Sequence, residues 1–306
     1  MDLNFVRLVF TLKLEKECID PYALFDLRPH FQEAFRQVVG CCQPQCIPCS
    51  MGESCPYHLT FAQHLSADPA ALKRYQKPSL PFLFDIPVLP EPPNRGCTIE
   101  LLLTLTGPAN NYLTVYIEAT ERMFANAGLR RSVCSILLKV ESAGYGAARS
   151  SVMERSGSMS EGQLQTLSLK GILETQVLPV DHATIIILTP MRILVEGKPT
   201  TELPFSPLIR SLFRRISSLT YYYGEDDSVL DYKWLSDQSR RVETVSDDFH
   251  WVNWGIRGGG IIGKGTFSGD MTEFHSFLLA GEYLHVGKGA SFGLGRYIVE
   301  KAAIPL

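Results

Sequence analysis

The strongest constraint on the fold of this chain is the alternation of apolar and polar residues in several short stretches. In residues 5–14 the apolar side chains share one face of an extended chain, which is typical of a half-buried strand. They are Val6, Leu8, Phe10, Leu12 and Leu14. Residues 99–105 and 134–140 alternate in the same way. The sequence therefore predicts at least three strands in the first half of the chain.

Two helices are predicted between these strands. The first runs from about Tyr22 or Phe31 to Val39, and Pro29 breaks it or opens its second part. The second follows Asn110 or Asn111 and reaches Ala127. A proline-rich passage, residues 78–93, favours extended chain. The resulting order of strand, helix, strand, strand, helix, strand is that of a ferredoxin-like (RRM-like) βαββαβ unit.

The second half of the chain repeats this order without a visible sequence repeat. Residues 183–195 read as a strand, 207–223 as a helix, and an extended aromatic region surrounds Trp251 and Trp254. A chain of 306 residues exceeds what one core usually holds. We therefore predict an α+β fold with two tandem ferredoxin-like domains, residues 1–145 and 181–306. The glycine- and serine-rich residues from 144 to 162 indicate a linker or loop region, placed at 146–180.

The charge and the N-terminus limit the classes of function. With a formal net charge of −3 the protein is not basic overall, so a nucleic-acid site has to be a local patch. The first residues lack the basic start and apolar core of a signal peptide. No apolar run reaches the roughly twenty residues of a membrane span. These features predict a cytoplasmic protein with no membrane contact, where disulfides are rare and clustered cysteines indicate a metal.

A cysteine-rich insertion, about residues 41–65, follows the first predicted helix. Thiolates bind zinc in four-cysteine sites, and the prolines and glycine in this stretch let the chain wrap an ion. The predicted metal ligands are Cys41, Cys42, Cys46, Cys49 and Cys55. A structural zinc is the first expectation and an iron–sulfur cluster the second. Free structural thiols are the remaining alternative.

A glycine-rich loop near the C-terminus, residues 287–295, lies between two β-type runs at 283–286 and 296–299. Glycine is needed where the backbone has positive φ or where a ligand approaches the main chain closely. Such a loop exposes N–H groups that bind anions, and Lys288 and Arg296 add positive charge. The spacing is not a dinucleotide-binding fingerprint. The alternative is a tight hairpin whose glycines serve only the turns.

Four sequence runs in this region resemble the C-terminal half of a known family. They are GGIIG at 259–263, FSGDM at 267–271, LLAGEYLHVGK at 278–288 and SFGLGRY at 291–297. Their order and spacing are similar to those of the CRISPR precursor-RNA processing endoribonucleases, members of the repeat-associated mysterious protein (RAMP) superfamily. One branch of that family also carries a cysteine insertion after the first helix.

The resemblance implies a prokaryotic enzyme that binds CRISPR repeat RNA and cleaves the precursor into mature guide RNA. The implied chemistry is attack by a 2′-hydroxyl without a metal or other cofactor, which leaves a 2′,3′-cyclic phosphate. Guide RNA and other CRISPR complex subunits are the implied partners. His30, beside Arg28, lies near where the family places its catalytic histidine, although the surrounding Pro29 and Phe31 depart from the family pattern. A surface or core histidine is the alternative for His30.

RNA phosphates attract cations, and unpaired bases stack on aromatic rings such as Trp251, Trp254 and Phe292. The predicted RNA-binding residues are Gly287, Lys288, Gly289, Ser291, Gly293, Gly295, Arg296, Arg257, Lys264, Arg210 and Arg214. A solvated helix face and core aromatics are the alternative. The alternative functions are a catalytically inactive RNA-binding subunit of a CRISPR ribonucleoprotein, or a redox or sensing centre at the cysteines.

Overall fold

The computed structural model describes residues 2–16, 22–41, 46, 49, 51–69, 78–89, 96–125, 133–154, 164–225, 230–254 and 258–301. The chain divides into two compact units. One is Asn4–Leu167, and the other combines Met1–Leu3 with Ser168–Leu306. The division falls inside the predicted linker at 146–180, while the predicted domain boundaries themselves stay a prediction. Helices and strands are numbered below in chain order among the described residues.

The unit Asn4–Leu167 has the predicted ferredoxin-like order. Its helices are α1 (Leu27–Val38), α2 (Pro56–Phe61) and α3 (Leu113–Ala125). Its strands are β1 (Asn4–Leu14), β2 (Phe82–Asp85), β3 (Thr98–Thr106), β4 (Ser135–Ala143) and β5 (Arg149–Glu154), with β6 (Thr166–Ser168) at the unit boundary. The sheet order is β2-β3-β1-β4-β5, and β6 pairs with β1. The described pairings among β1 to β5 are antiparallel.

The apolar face predicted for β1 is buried, but most of the opposite face is buried as well, so β1 is not the half-buried strand that the alternation predicted. Val6, Leu8, Phe10, Leu12 and Leu14 are each at most 4% exposed. Aromatic rings from α1, β2 and α3 pack together, with Phe31 in α1 lying 4.9 Å from Phe84 and 5.2 Å from Phe82 between ring centroids. The alternation that predicted the strand therefore also defines the core of this unit.

Two segments of this unit differ from the expectation. Helix α1 begins at Leu27, so Pro29 stands in its first turn and does not break it. In the first turn the missing N–H of proline costs no helical hydrogen bond, because that N–H has no intrahelical partner. Residues 149–154, expected in a linker or loop, form β5 and pair with β4. Pairing with β4 satisfies the main-chain hydrogen-bonding groups of these residues. Their glycine- and serine-rich surroundings alone had predicted a loop.

The unit containing Ser168–Leu306 repeats the ferredoxin-like order. Its helices are α4 (Leu169–Glu174), α5 (Phe205–Tyr223), α6 (Tyr232–Gln238) and α7 (His275–Leu284). Its strands are β7 (His182–Met191), β8 (Leu194–Val195), β9 (Lys198–Pro199), β10 (Glu243–Asp247), β11 (His250–Trp254), β12 (Gly258–Ser268) and β13 (Tyr297–Val299). The main sheet has the order β10-β12-β7-β13, and β11 also pairs with β12.

The β-type run predicted at 283–286 is wrong, because α7 continues to Leu284. A short apolar run does not distinguish a buried helix from a strand. The glycine-rich loop therefore joins a helix to β13 and is not a hairpin. Within the described part of the chain, no helix combines the length and apolar character needed to cross a membrane.

Candidate functional site

The glycine-rich loop is fixed against the end of β7. The N–H of Lys288 donates to the carbonyl of Arg192 at 2.8 Å, and the N–H of Gly295 donates to the carbonyl of Pro190 at 3.0 Å. At its start, the N–H of Val286 donates to the carbonyl of Gly295 at 3.1 Å. These bonds close the loop on itself and on the sheet, so its shape is set by main-chain contacts.

The four glycines of the loop have φ between +69° and +90°, a region that other residues rarely adopt. Gly287 also approaches a neighbouring strand end, since a Cβ there would lie 2.6 Å from the carbonyl oxygen of Arg192. At Gly295 a Cβ would overlap the carbonyl oxygen of Val286. The glycines are therefore required both for the turns and for close packing of the main chain.

Three main-chain N–H groups of the loop have no acceptor among the described residues. They belong to Gly287, Gly289 and Ser291, which alternate along the chain. Neighbouring donors are used within the protein, since the N–H of Phe292 reaches the carbonyl of Gly289 at 2.8 Å. Unpartnered N–H groups grouped in a turn form an anion-binding concavity. Gly287 and Gly289 are partly exposed, whereas Ser291 is only 6% exposed, so the accessible free donors of the loop are the N–H groups of Gly287 and Gly289.

The second half of the loop is packed into the protein. Gly293 and Gly295 are bonded through their N–H groups to the carbonyls of Ala290 and Pro190. Phe292 is only 7% exposed, so its ring is not available to stack on a base in this structure. The contribution of Gly293 and Gly295 to RNA binding stays a prediction. Their observed contribution is to the turn that positions residues 287–291.

Thr189 in β7 holds this second half, and the sequence reasoning missed it. Its hydroxyl donates to the carbonyl of Gly293 at 2.7 Å and accepts the N–H of Arg296 at 2.9 Å. Thr189 is buried and its bond to Gly293 lies away from water, whereas the bond from Arg296 is partly buried. A threonine in a buried strand gives no sequence signal of such a role.

Arg215 in α5 holds the first half of the loop and was also missed as a site residue. Its Nε donates to the carbonyl of Leu284 at 3.0 Å and its Nη1 donates to the hydroxyl of Ser291 at 3.4 Å. The sequence did carry a signal, because Leu208, Leu212, Arg215 and Leu219 follow a helical apolar spacing. A charged residue in that apolar stripe marks a partly buried cation.

The positive charge around the loop comes from residues without acidic partners. Lys288 has no ion pair among the described residues. Arg192, at the end of β7, is half-buried and likewise unpaired with any described carboxylate; it was not among the predicted residues. Such cations near free N–H groups favour an anionic ligand.

Arg210 and Arg214 lie one turn apart on the exposed face of α5. Burial lowers the pKa of Arg214, and the neighbouring Arg210 lowers it further. No described carboxylate lies within ion-pair distance of either guanidinium. Two adjacent like charges without a counter-ion are unfavourable in the free protein, and they favour binding to a polyanion.

Two other predicted cations are less informative. Lys264 in β12 forms an ion pair with Glu300 at 2.6 Å, which compensates its charge. Lys264 also pairs with Ile186 in the middle of β7, whereas the loop bonds to the chain at residues 190 and 192. Arg257 lies outside the described residues.

Trp251 and Trp254 are half-exposed on β11, where the indole N–H of Trp251 donates to Asn253 at 2.9 Å.

His30 is the fourth residue of α1 and is half-exposed. Among the described residues its ring has no hydrogen-bond partner. Its position leaves the imidazole accessible, as a general acid or base must be, but no described neighbour fixes its tautomer. The catalytic role of His30 stays a prediction.

In the cysteine insertion, several thiols lie close enough to affect the pKa of Cys46. Burial raises the pKa of Cys46, and the neighbouring Cys41, Cys55 and Cys49 raise it further, whereas Arg36 lowers it. The donor set suits zinc in its chemistry. In the part of the chain that the structure describes, however, no three cysteine, histidine or acidic side chains lie together as a metal site. Cys42 lies outside that part.

The two sheets and the loop define the class of protein: an α+β chain with two ferredoxin-like units and a glycine-rich connection before its last described strand. This confirms the predicted fold class, apart from the metal-binding character of the cysteine insertion. Residues 185–297 match the family described as CRISPR-associated endoribonuclease Cas6. Residues 3–164 match a second family model, described as an N-terminal domain.

Solved structures have the same fold at low sequence identity. A partial Cas6-RT-Cas1–Cas2 complex matches at 15% identity and a TM-score of 0.56, covering 99% of this chain and 48% of that one. A product complex of a Thermus thermophilus Cas6 matches at 17% identity and a TM-score of 0.55, covering 97% and 100%. A product complex of another Cas6 matches at 14% and 0.52, covering 97% and 100%.

The chain thus spans about half the length of the Cas6-RT-Cas1 polypeptide that it matches. No curated protein sequence matches it. The C-terminal part of the chain thus matches the CRISPR-associated endoribonuclease Cas6 family, the family that its sequence motifs resemble.

Proposed function

We propose that this protein binds the repeat regions of CRISPR precursor RNA and cleaves them to release guide RNA. The observation that carries the proposal is the pair of unpartnered, partly exposed N–H groups at Gly287 and Gly289, with the exposed Lys288 between them. This arrangement suits a phosphate of the RNA backbone. The family match at 185–297 includes the whole loop and supports an RNA ligand over other anions.

Cleavage proceeds by in-line attack of a 2′-oxygen on the adjacent phosphorus. The P–O2′ bond forms, the P–O5′ bond breaks, a base takes the 2′-hydroxyl proton and an acid protonates the departing 5′-oxygen. The products are a 2′,3′-cyclic phosphate and a 5′-hydroxyl, with no metal in the step. His30 supplies one of the two proton transfers, and main-chain donors of the loop hold the backbone near the geometry of attack.

The remaining predicted residues bind RNA beyond the loop. Arg210 and Arg214 contact phosphates, as do Lys264, Arg257 and Arg296, while Gly293 and Gly295 keep the loop in shape. The guide RNA stays bound after cleavage and recruits other CRISPR subunits in a prokaryotic cytoplasm. The structural match to a Cas6-RT-Cas1–Cas2 complex supports such partners.

A cleavage assay in EDTA tests this proposal. A labelled repeat RNA is incubated with the protein, and the 5′ fragment is examined for a cyclic phosphate end. Metal-free cutting at one site within the repeat is the expected result. His30→Ala is expected to slow cutting while RNA stays bound; unchanged cutting would remove His30 from the mechanism.

The second candidate is an RNA-binding subunit without cleavage activity. The absence of a described hydrogen-bond partner for the His30 ring favours it, because an unoriented imidazole is a poor catalyst. Retention of repeat RNA without any cut product would establish this function in place of the enzyme.

The cysteine insertion holds a structural zinc, with Cys46, Cys49, Cys55 and either Cys41 or Cys42 as ligands. Cys41, Cys49 and Cys55 each raise the pKa of Cys46, which supports the proposal that these four thiols lie near one another. Zinc would tie the insertion together and supply no chemistry to the cleavage. Elemental analysis is expected to give one zinc per chain, lowered by Cys46→Ser and unchanged by Cys97→Ser. Iron with a visible absorption band would indicate a cluster, and neither metal would end the proposal.

A further inference from the structure

Arg215 is a partly buried cation that bridges two parts of the candidate site. Its Nε donates to the carbonyl of Leu284, the last residue of α7, and its Nη1 donates to the hydroxyl of Ser291 inside the loop. The start and the middle of the connection are therefore held by one guanidinium. Its planar, fixed donor geometry makes this a two-point contact that a lysine does not reproduce.

The guanidinium of Arg215 has no acidic partner among the described residues, and its Nη2 is buried without an acceptor there. Burial lowers its pKa to about 10, so it stays charged at neutral pH. The neighbouring Tyr223 is neutral at that pH, because burial raises its pKa. A partly buried charge with no acidic partner among the described residues opposes folding, so stability alone does not account for this residue.

The loop that Arg215 contacts contains the free donors. Ser291 is itself only 6% exposed; its hydroxyl accepts from Arg215, and it lies two residues after Gly289, whose N–H is unpartnered and partly exposed. Fixing the Ser291 side chain fixes the orientation of that residue, and with it the alternation of free and used N–H groups from Gly287 to Ser291.

We propose that Arg215 is a positioning residue that holds the glycine-rich loop in the conformation that presents its free N–H groups to RNA. The proposal rests on the function proposed above. It requires no contact between Arg215 and RNA, since the effect passes through Leu284 and Ser291. A misplacement of about 1 Å in such groups lowers a reaction rate about 100-fold.

The test compares Arg215→Lys, which keeps the charge without the two-point geometry, with Arg215→Met, which keeps neither. Single-turnover cleavage at saturating protein is expected to fall about 10- to 100-fold in both variants. The dependence of RNA affinity on salt is expected to be unchanged, because Arg215 neutralises no phosphate. Arg240→Gln, an exposed arginine paired with Asp237, is the matched control and should behave as wild type.

Wild-type cleavage by Arg215→Lys would overturn the two-point contact. A salt slope reduced by about 0.7 would overturn the indirect role, because Arg215 would then bind a phosphate itself. Hydrogen exchange of a peptide covering residues 285–296 gives a readout independent of RNA. Faster exchange is expected in both variants and in Ser291→Ala, a second variant that folds if Arg215→Met does not. Unchanged exchange would overturn the proposal, whereas an inactive wild type would overturn only the proposed function.

Discussion

At the scale of single residues, the candidate site depends on two side chains outside the loop that hydrogen-bond to it. Thr189 makes a buried hydrogen bond to the main chain of the loop, and Arg215 makes a partly buried one to Ser291. Both lie in regular elements, where packing fixes their rotamers. The loop itself contributes main-chain donors and glycines, so its chemistry depends on residues outside it.

Thr189→Val is expected to destabilise the unit by about 1–3 kcal/mol, because it leaves the N–H of Arg296 and the carbonyl of Gly293 buried without this partner. Valine has nearly the same shape, so a cavity does not contribute. Urea unfolding followed by circular dichroism gives the free energy of unfolding. Thr201→Val, at an exposed position, is the control. Equal stability of both variants would show that these two bonds carry no net stabilisation.

At the scale of elements, the position of the loop is fixed by the packing of α7 on β13 and α5. Gly281 in α7 permits this packing, because a Cβ there would overlap the hydroxyl of Tyr297 and a methyl of Leu212. Tyr297 in turn donates its hydroxyl to the carbonyl of Leu278 at 2.7 Å. A helix and a strand held this closely leave the connecting loop little freedom.

Gly281→Ala is therefore expected to destabilise the protein by about 1–3 kcal/mol through overpacking. In an open helix the same change would stabilise by about 1 kcal/mol through helix propensity, so the sign of the effect reports the packing. Thermal unfolding measures it, with Ser276→Ala on the exposed face of α7 as the control. A raised melting temperature for Gly281→Ala would contradict the close contact.

Glu282 in α7 predicts a pH dependence of stability. Burial raises its pKa above the ordinary value of 4.5, although the N–H of Val299 and the charge of Lys301 oppose the rise. The folded state then holds the proton more tightly than the unfolded state. The stabilisation is complete below the ordinary pKa and is lost as the pH rises through the folded pKa.

The free energy of unfolding of wild type minus that of Glu282→Gln is thus expected to fall as the pH rises above the ordinary carboxyl pKa of 4.5. Denaturant unfolding at a series of pH values measures this difference. Glu243→Gln, at an exposed carboxyl on β10, is the matched control. A difference that increases with pH would mean that the carboxylate is stabilised, and the burial argument would be wrong.

At the scale of the whole molecule, a net charge of −3 requires that RNA affinity come from a local patch. Arg210 and Arg214 are the clearest pair of uncompensated cations in the described part of the chain. Their contribution is electrostatic and independent of sequence, so it belongs to affinity and not to the recognition of a particular repeat.

The double variant Arg210→Gln/Arg214→Gln is expected to reduce the slope of log affinity against log salt by about 1.4, or about 0.7 for each phosphate that is no longer neutralised on single-stranded RNA. Titration of a labelled repeat RNA at several salt concentrations measures the slope. Arg240→Gln/Arg241→Gln on the same unit is the control. An unchanged slope in the first variant would exclude these two arginines from the RNA interface.

The strands of both units follow from the sequence because period-two alternation survives wherever one face is buried, as Val6 to Leu14 show. Helix α7 was not predicted, because its short apolar run, Phe277 to Ala280, does not distinguish a buried helix from a strand. β5 was not predicted, because it lies in a stretch rich in serine and glycine and its own serines give a weak strand signal until a neighbouring strand supplies hydrogen bonds.

The sequence by itself determined the order of the elements, the glycine-rich loop, the cysteine cluster and the family resemblance, since each depends on residue type and spacing along the chain. Only the tertiary structure decided which loop N–H groups stay free and which are used. Only it assigned Thr189 and Arg215 to the support of that loop. Hydrogen bonds between residues far apart in sequence depend on how helices and strands pack, and local patterns of residue type do not predict that packing.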